Sequence, residues 1–141
     1  MISPYEIVSK SALPALRAMV ARRLQLDYDM TQQQVAKALG ITQASVSNYT
    51  RKTRGVMVNF EGDPTVTKAA DSIARRLSKK DPDQREAVES MTDVLDYIRL
   101  SHLMCALHGD LEPGFQVEGC YACDGALSGK RFERLKVPAG N

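Results

Sequence analysis

Cys105, His108, Cys120 and Cys123 fall in the pattern C-x2-H-x11-C-x2-C, and they include all three cysteines of the chain. A Cys-x2-Cys turn lets two thiolates converge on one ion, and Pro113, Gly114, Gly119 and Gly125 supply loops that bring the other pair round. Three thiolates and one imidazole are the complement of a tetrahedral structural zinc site. The same cysteines suit an iron-sulfur cluster with His108, His102, solvent or a partner at the fourth corner, but the compact C-x2-C-x2-C run of ferredoxins is missing. Zinc is therefore favoured on spacing alone. A metal-free site, with Cys120 and Cys123 forming a redox disulfide, is the third reading. The odd number of cysteines argues against a disulfide framework. His102 reads as a polar helix-seam residue rather than a ligand.

A second constellation, residues 31–51 (TQQQVAKALGITQASVSNYTR), holds hydrogen-bonding groups rather than reactive ones. Thr31 can cap a first short helix, Gly40 can take the positive φ of a sharp helix exit, and Thr42 can cap a second helix beginning at Gln43. Val35, Ala36, Leu39, Ile41, Val46 and Tyr49 fall where such a pair must pack. Gln43, Ala44, Ser47 and Asn48 are left pointing outward, and amide, hydroxyl and methyl groups at the front of a second helix suit base edges in a major groove. Gln43 is the leading base reader, followed by Ser47 and Asn48, with Ala44 available to a thymine methyl. Gln32, Thr42, Arg51, Lys52 and Arg54 are expected to position phosphates.

The spacing of Ala36, Gly40 and Val46 resembles that of the helix-turn-helix of phage-repressor-like (XRE-type) transcription regulators. The segments SPYEIV, ALPALRAMVARRL and ITQASVSNY together look like small archaeal regulators that carry this module ahead of a cysteine-bearing C-terminal tail. The resemblance extends over most of the chain, is closest over residues 11–55 and is looser after Gly62. It implies double-stranded DNA as a partner and a metal or redox role for the tail, without choosing the metal.

The elements that must position these residues can be read in order. Ser3, Pro4 and Glu6 form a capping box with proline at the first helical position, opening a helix to about Ser11. Pro14 then predicts a break or kink near Ala12 and Leu13. A second helix runs to about Leu26, with Leu13, Leu16, Val20 and Leu24 as its apolar stripe and Arg17, Arg22 and Arg23 elsewhere, facing solvent or phosphates. Val56, Val58 and Phe60 alternate with Met57 and Asn59, as in a short strand or an extended arm on the core. No second alternating segment is legible nearby, which disfavours a winged module.

Asp63 and Pro64 start another helix, with Val66, Ala69, Ala70, Ile73 and Leu77 on one face, ending near Lys79 and Lys80. Asp81 and Pro82 repeat the signal and open the longest helix, to Met104 or Cys105, roughly 35 Å. Along it Val88, Met91, Leu95, Ile98, His102 and Cys105 make an a/d seam, the expected dimer interface; a core helix inside one subunit is the alternative. Residues 130–137 (KRFERLKV), with Phe132, Leu135 and Val137, suggest a terminal strand or short helix packed on the metal loop, and residues 138–141 a frayed end.

Composition fits these parts. The chain of 141 residues is 43% hydrophobic and 26% charged, without a run near the roughly 18 apolar residues of a membrane span and without a signal peptide, so a cytoplasmic protein is expected. The net charge of +2 hides an asymmetry: residues 1–62 carry eight basic against four acidic side chains, the remainder eleven against thirteen. Positive charge thus accompanies the DNA-reading segment.

The expected architecture is mainly α: a helix-turn-helix DNA-binding domain (1–62), a helical dimerisation region (63–104) and a small irregular Cys/His metal-binding module (105–141). The expected function is a homodimeric, sequence-specific DNA-binding transcription regulator whose metal site is structural or senses redox or metal state. The rivals are a helical adaptor with structural zinc and no DNA binding, and a thiol or metal redox enzyme. The enzyme fares poorly, because a catalytic site needs an open metal position and a placed general base, and neither is legible.

Overall fold

In the computed structural model, which describes residues 1–52, 55 and 57–124, the chain is mainly helical, with no strand among the described residues. The Ser3–Glu6 capping box opens α1 (Pro4–Ile7), and the chain continues through a π-helical turn (Val8–Ala12) directly into α2 (Leu13–Asp27). The break expected at Pro14 is absent. Leu13 N–H bonds to the Val8 carbonyl five residues back, and this wider turn accommodates the proline while the backbone stays helical. α2 is more than a striped helix: Ala15, Leu16, Ala18, Met19, Val20, Ala21 and Leu24 are all buried. It is the central rod against which α3 (Gln32–Leu39), α4 (Gln43–Thr50) and α5 (Pro64–Leu77) pack. The core therefore runs continuously across residue 62, the expected domain boundary.

Between α4 and α5 the described part of the chain lies as an extended arm, not a strand. Phe60 is buried and Val58 half-buried. Gly55 brings this arm onto α2 at φ +70°, where a Cβ would stand 2.6 Å from the Pro14 carbonyl oxygen and 2.9 Å from Ala18 Cβ. Val56 lies outside the described residues. Two arginines of α2 have acidic neighbours. Arg23, itself largely covered, pairs with the exposed carboxylates of Glu61 at 3.0 Å and of Asp71, and Arg22 stands 3.9 Å from Glu61. The Arg23 hydrogen bond, working against partial burial, holds the Glu61 carboxyl below its ordinary value.

A depressed carboxylate contributes stability above its unfolded value of 4.5 and loses it as pH falls through the lower folded value. Glu61→Gln is accordingly expected to cost no more than about 1 kcal/mol at neutral pH, because the pair is partly solvent-screened. The deficit should shrink as urea unfolding is repeated toward pH 2 or so. A deficit independent of pH would assign the loss to packing instead.

Asp63 caps α5 by accepting from Thr65 and Val66 N–H, and Val66, Ala70, Ile73, Ala74 and Leu77 form its buried face. The last long helix, α6, spans Gln84–Leu100 and differs from expectation at both ends. Asp83, rather than Asp81, is its cap, accepting from Arg85 and Glu86 N–H. The helix stops at Leu100 because His102 takes φ +60°, with His102 N–H bonded to the Arg99 carbonyl and Leu103 N–H to the Ile98 carbonyl, a Schellman turn. A short α7 (Cys105–Leu111) follows.

The expected a/d seam is interrupted at Leu100, and part of it packs within the chain. Ala87, Val94 and Ile98 are buried, α6 packs on α5 and on the π turn, and Val88 is 62% exposed. The core-helix alternative is the observed arrangement for Ile98. Gln84 Nε2–H donates to the Ala38 carbonyl, tying α6 to α3, and Tyr97 OH reaches the Asp63 carboxylate. No helix among the described residues is long and apolar enough to cross a membrane.

Candidate nucleic-acid interface and thiol cluster

Local capping chemistry builds the α3–α4 pair. Thr31 Oγ1 accepts from Gln34 N–H while the Gln34 amide oxygen accepts from Thr31 N–H, so the first turn of α3 is closed reciprocally. Gly40 at φ +64° ends α3 in a Schellman turn, Ile41 N–H bonding back to the Ala36 carbonyl. Thr42 Oγ1 accepts from Ser45 N–H and starts α4. Val35, Ala36, Val46 and Tyr49 are buried, Leu39 and Ile41 half-buried, and Thr50 Oγ1–H donates to Gln25 Oε1 on α2 at 2.7 Å. What remains on the open side of α4 is Gln43 and Ala44, both exposed at its N-terminal end, with Ser47 and Asn48 half-buried one turn on. This is the end of a helix that can enter a groove first, with an amide and a methyl at the tip.

Cys105, Cys120 and Cys123 line one small cavity with His102, His108 and Phe115, of about 10 Å³. Burial raises the Cys105 and Cys123 thiols above their ordinary value, and the neighbouring thiols push them further up, Arg99 opposing this at Cys123. A cation among them would reverse that balance. Among the described residues no three His, Cys, Asp or Glu side chains already stand as a metal-ligand set, so ligation requires the thiols to close on the ion.

The two histidines sit in different surroundings. His108 is buried, its ring stacked on Phe115 with centroids 4.0 Å apart and its Nε2 3.0 Å from Glu112 Oε2. His102 instead stands with Nδ1 3.5 Å from Cys105 Sγ and Nε2 3.3 Å from Asp124 Oδ1.

A family model described as helix-turn-helix matches residues 20–56. The chain carries a phage-repressor-like helix-turn-helix. No curated protein and no solved structure matches the chain. The matched span takes in the end of α2, all of α3 and α4 and the start of the arm, and it supports a DNA-binding transcription regulator.

On this helix-turn-helix the structure brings Gln43, Ala44, Ser47 and Asn48 onto one end and side of α4, with exposed Arg51 and Lys52 just past it. Gln32 is half-buried at the start of α3, and the Thr42 hydroxyl is occupied by its cap and by Ser45 Oγ at 2.9 Å. Arg54 lies outside the described residues, as do Gly125 and residues 130–141. Sequence reasoning missed Lys37, exposed on α3, which lines a groove with Lys79 and Lys80. The signal was present, since all three are basic, but only folding returns the α5–α6 loop to the side of α3. It also missed Asp124 and Arg99, whose positions beside the thiols follow no spacing rule.

Proposed function

We propose that the protein is a homodimeric, cytoplasmic transcription regulator that reads a palindromic site in double-stranded DNA through α4 and holds zinc at its C-terminal thiols. The observation that carries the DNA reading is the separation of faces on α4: Val46 and Tyr49 are sealed into the core while Gln43 and Ala44 stand exposed at its leading end. Gln43 would contact a base edge, Ser47 and Asn48 would follow, and Arg51 and Lys52 would hold phosphates. Dimerisation is supported by the size of the module, since a single pair of short helices touches too few base pairs for useful discrimination. No membrane partner enters this reading.

Zinc is preferred to an iron-sulfur cluster on the spacing of the cysteines, which lacks the compact C-x2-C-x2-C run of ferredoxins. The site's connection to the reading head runs through packing. Met104, in the turn ahead of Cys105, is buried against Ser11 of the π turn that leads into α2. Opening the thiol site would disturb that seat, so the metal can be structural or can report metal supply or redox state.

The test selects an operator from random duplex DNA and compares it with a scrambled duplex by fluorescence anisotropy, before and after chelation. Selective binding is expected. Equal binding of the two duplexes by the metal-loaded protein would remove the DNA-reading proposal and favour an adaptor. A brown, anaerobically purified protein would replace zinc by an iron-sulfur cluster. Unchanged affinity and dimer state after chelation would leave the site purely structural.

A further inference from the structure

Resting on the zinc reading above, we infer that the nitrogen ligand is His102 through Nδ1, with Asp124 orienting the ring from Nε2, and that His108 is a packing residue. His102 has one ring nitrogen 3.5 Å from Cys105 Sγ and the other 3.3 Å from Asp124 Oδ1. A carboxylate that takes the N–H of one ring nitrogen fixes the tautomer and leaves the other nitrogen's lone pair for a metal. Asp124 directly follows Cys123, so closure of the Cys120–Cys123 turn on an ion carries the orienting carboxylate with it. His102 also holds a left-handed backbone at φ +60°, and that conformation turns the chain from α6 back toward Cys105. His108 has none of this freedom. Its ring is stacked on Phe115, its Nε2 is engaged by Glu112, and Glu112 Oε2 also accepts from Ile2 N–H. Ligation by His108 through Nε2 would break those contacts, which tie the tail to the start of the chain, and no contact among the described residues brings its Nδ1 to a thiol as His102 Nδ1 is brought to Cys105.

Arg99, at the end of α6, holds a buried cation over the Tyr5 ring, 5.7 Å from its centroid. It is 94% buried by its 6% relative exposure, its Nη1 has no hydrogen-bond partner, and its nearest recorded carboxylate is Asp96 at 3.7 Å from Nη2. A divalent ion with three thiolates and a neutral imidazole carries one net negative charge. Loading the site releases the three thiol protons to solvent.

The experiment titrates the reduced full-length protein anaerobically with Co²⁺ and then displaces it with Zn²⁺. The unaltered protein is expected to show tetrahedral ligand-field and thiolate charge-transfer bands. His102→Asn, which tolerates the left-handed backbone, should lose the tetrahedral spectrum. Asp124→Asn should keep the band positions but bind Co²⁺ about 10- to 100-fold more weakly. His108→Gln should keep both spectrum and affinity, whatever it does to thermal stability. In case His108→Gln fails to fold, ¹¹³Cd-loaded unaltered protein is expected to show scalar coupling from ¹¹³Cd to the His102 ring protons. Coupling to His108, or a wild-type Co²⁺ spectrum in His102→Asn, overturns the assignment while the metal reading stands. Absence of tetrahedral Co²⁺ binding by the unaltered protein overturns both.

Discussion

Ile98→Ala is expected to destabilise the folded chain by about 2 to 5 kcal/mol, and by the same amount at every protein concentration. Ile98 is fully buried, in the face of α6 that packs on α5 and on the π turn below α2. Truncating it removes three carbons from that contact, and α5 and α2 are held by their own packing and cannot collapse into the space. Val88, on the face that remains in water, should tolerate alanine within about 0.5 kcal/mol. The comparison is decisive because the sequence periodicity placed both residues on one dimer seam. Urea unfolding at two concentrations about 100-fold apart, read beside sedimentation equilibrium, separates the cases. A variant that simply became monomeric while its monomer stayed as stable as before would return Ile98 to the seam.

That pair of residues shows which part of the fold can be read in sequence. Caps are local chemistry: Ser3 with Glu6, Thr31 with Gln34, Thr42 and Asp63 each meet donors two or three residues away, and all behave as their types predict. Gly40 likewise takes its left-handed turn without help from the rest of the molecule. The face that α6 buries depends instead on where α5 lies. Steps of three and four fit residues 88, 91, 95 and 98 as well as 87, 91, 94 and 98, and periodicity alone cannot choose between two sets offset by one residue.

The other misreadings have the same origin. A helix stop is legible when glycine or asparagine stands at the left-handed position, but in α6 that position is filled by His102. Asp81 and Asp83 both offer a cap, and the second wins because its carboxylate reaches two N–H groups beyond Pro82. Alanines carry little apolar signal, so the all-round burial of α2 through Ala15, Ala18 and Ala21 was hidden behind a leucine stripe. At the candidate metal site, residue type identified the three thiols. Spacing counts residues and not ring orientations, so it could not show that His102 Nδ1 stands 3.5 Å from Cys105 Sγ while His108 Nε2 faces Glu112.

Gln43→Ala is expected to reduce discrimination between operator and scrambled DNA by about 1 to 3 kcal/mol, roughly 5- to 150-fold, while leaving the fold intact. Gln43 is exposed at the first position of α4, and the start of that helix is held by Thr42, so removing the amide takes away a base contact without taking away a cap. A change at Thr42 would confound the two, because its hydroxyl accepts from Ser45 N–H. Arg51 supplies the control. It is exposed at the C-cap of α4, where a phosphate contact carries no sequence information. Arg51→Ala should weaken operator and scrambled duplex alike and lower the salt slope by about one. Anisotropy titrations of both variants on both duplexes, repeated over a range of salt, read the two effects separately. If Arg51→Ala changed the operator-to-scrambled ratio and Gln43→Ala left it untouched, the reading head would have to be moved from the front of α4 to its far end.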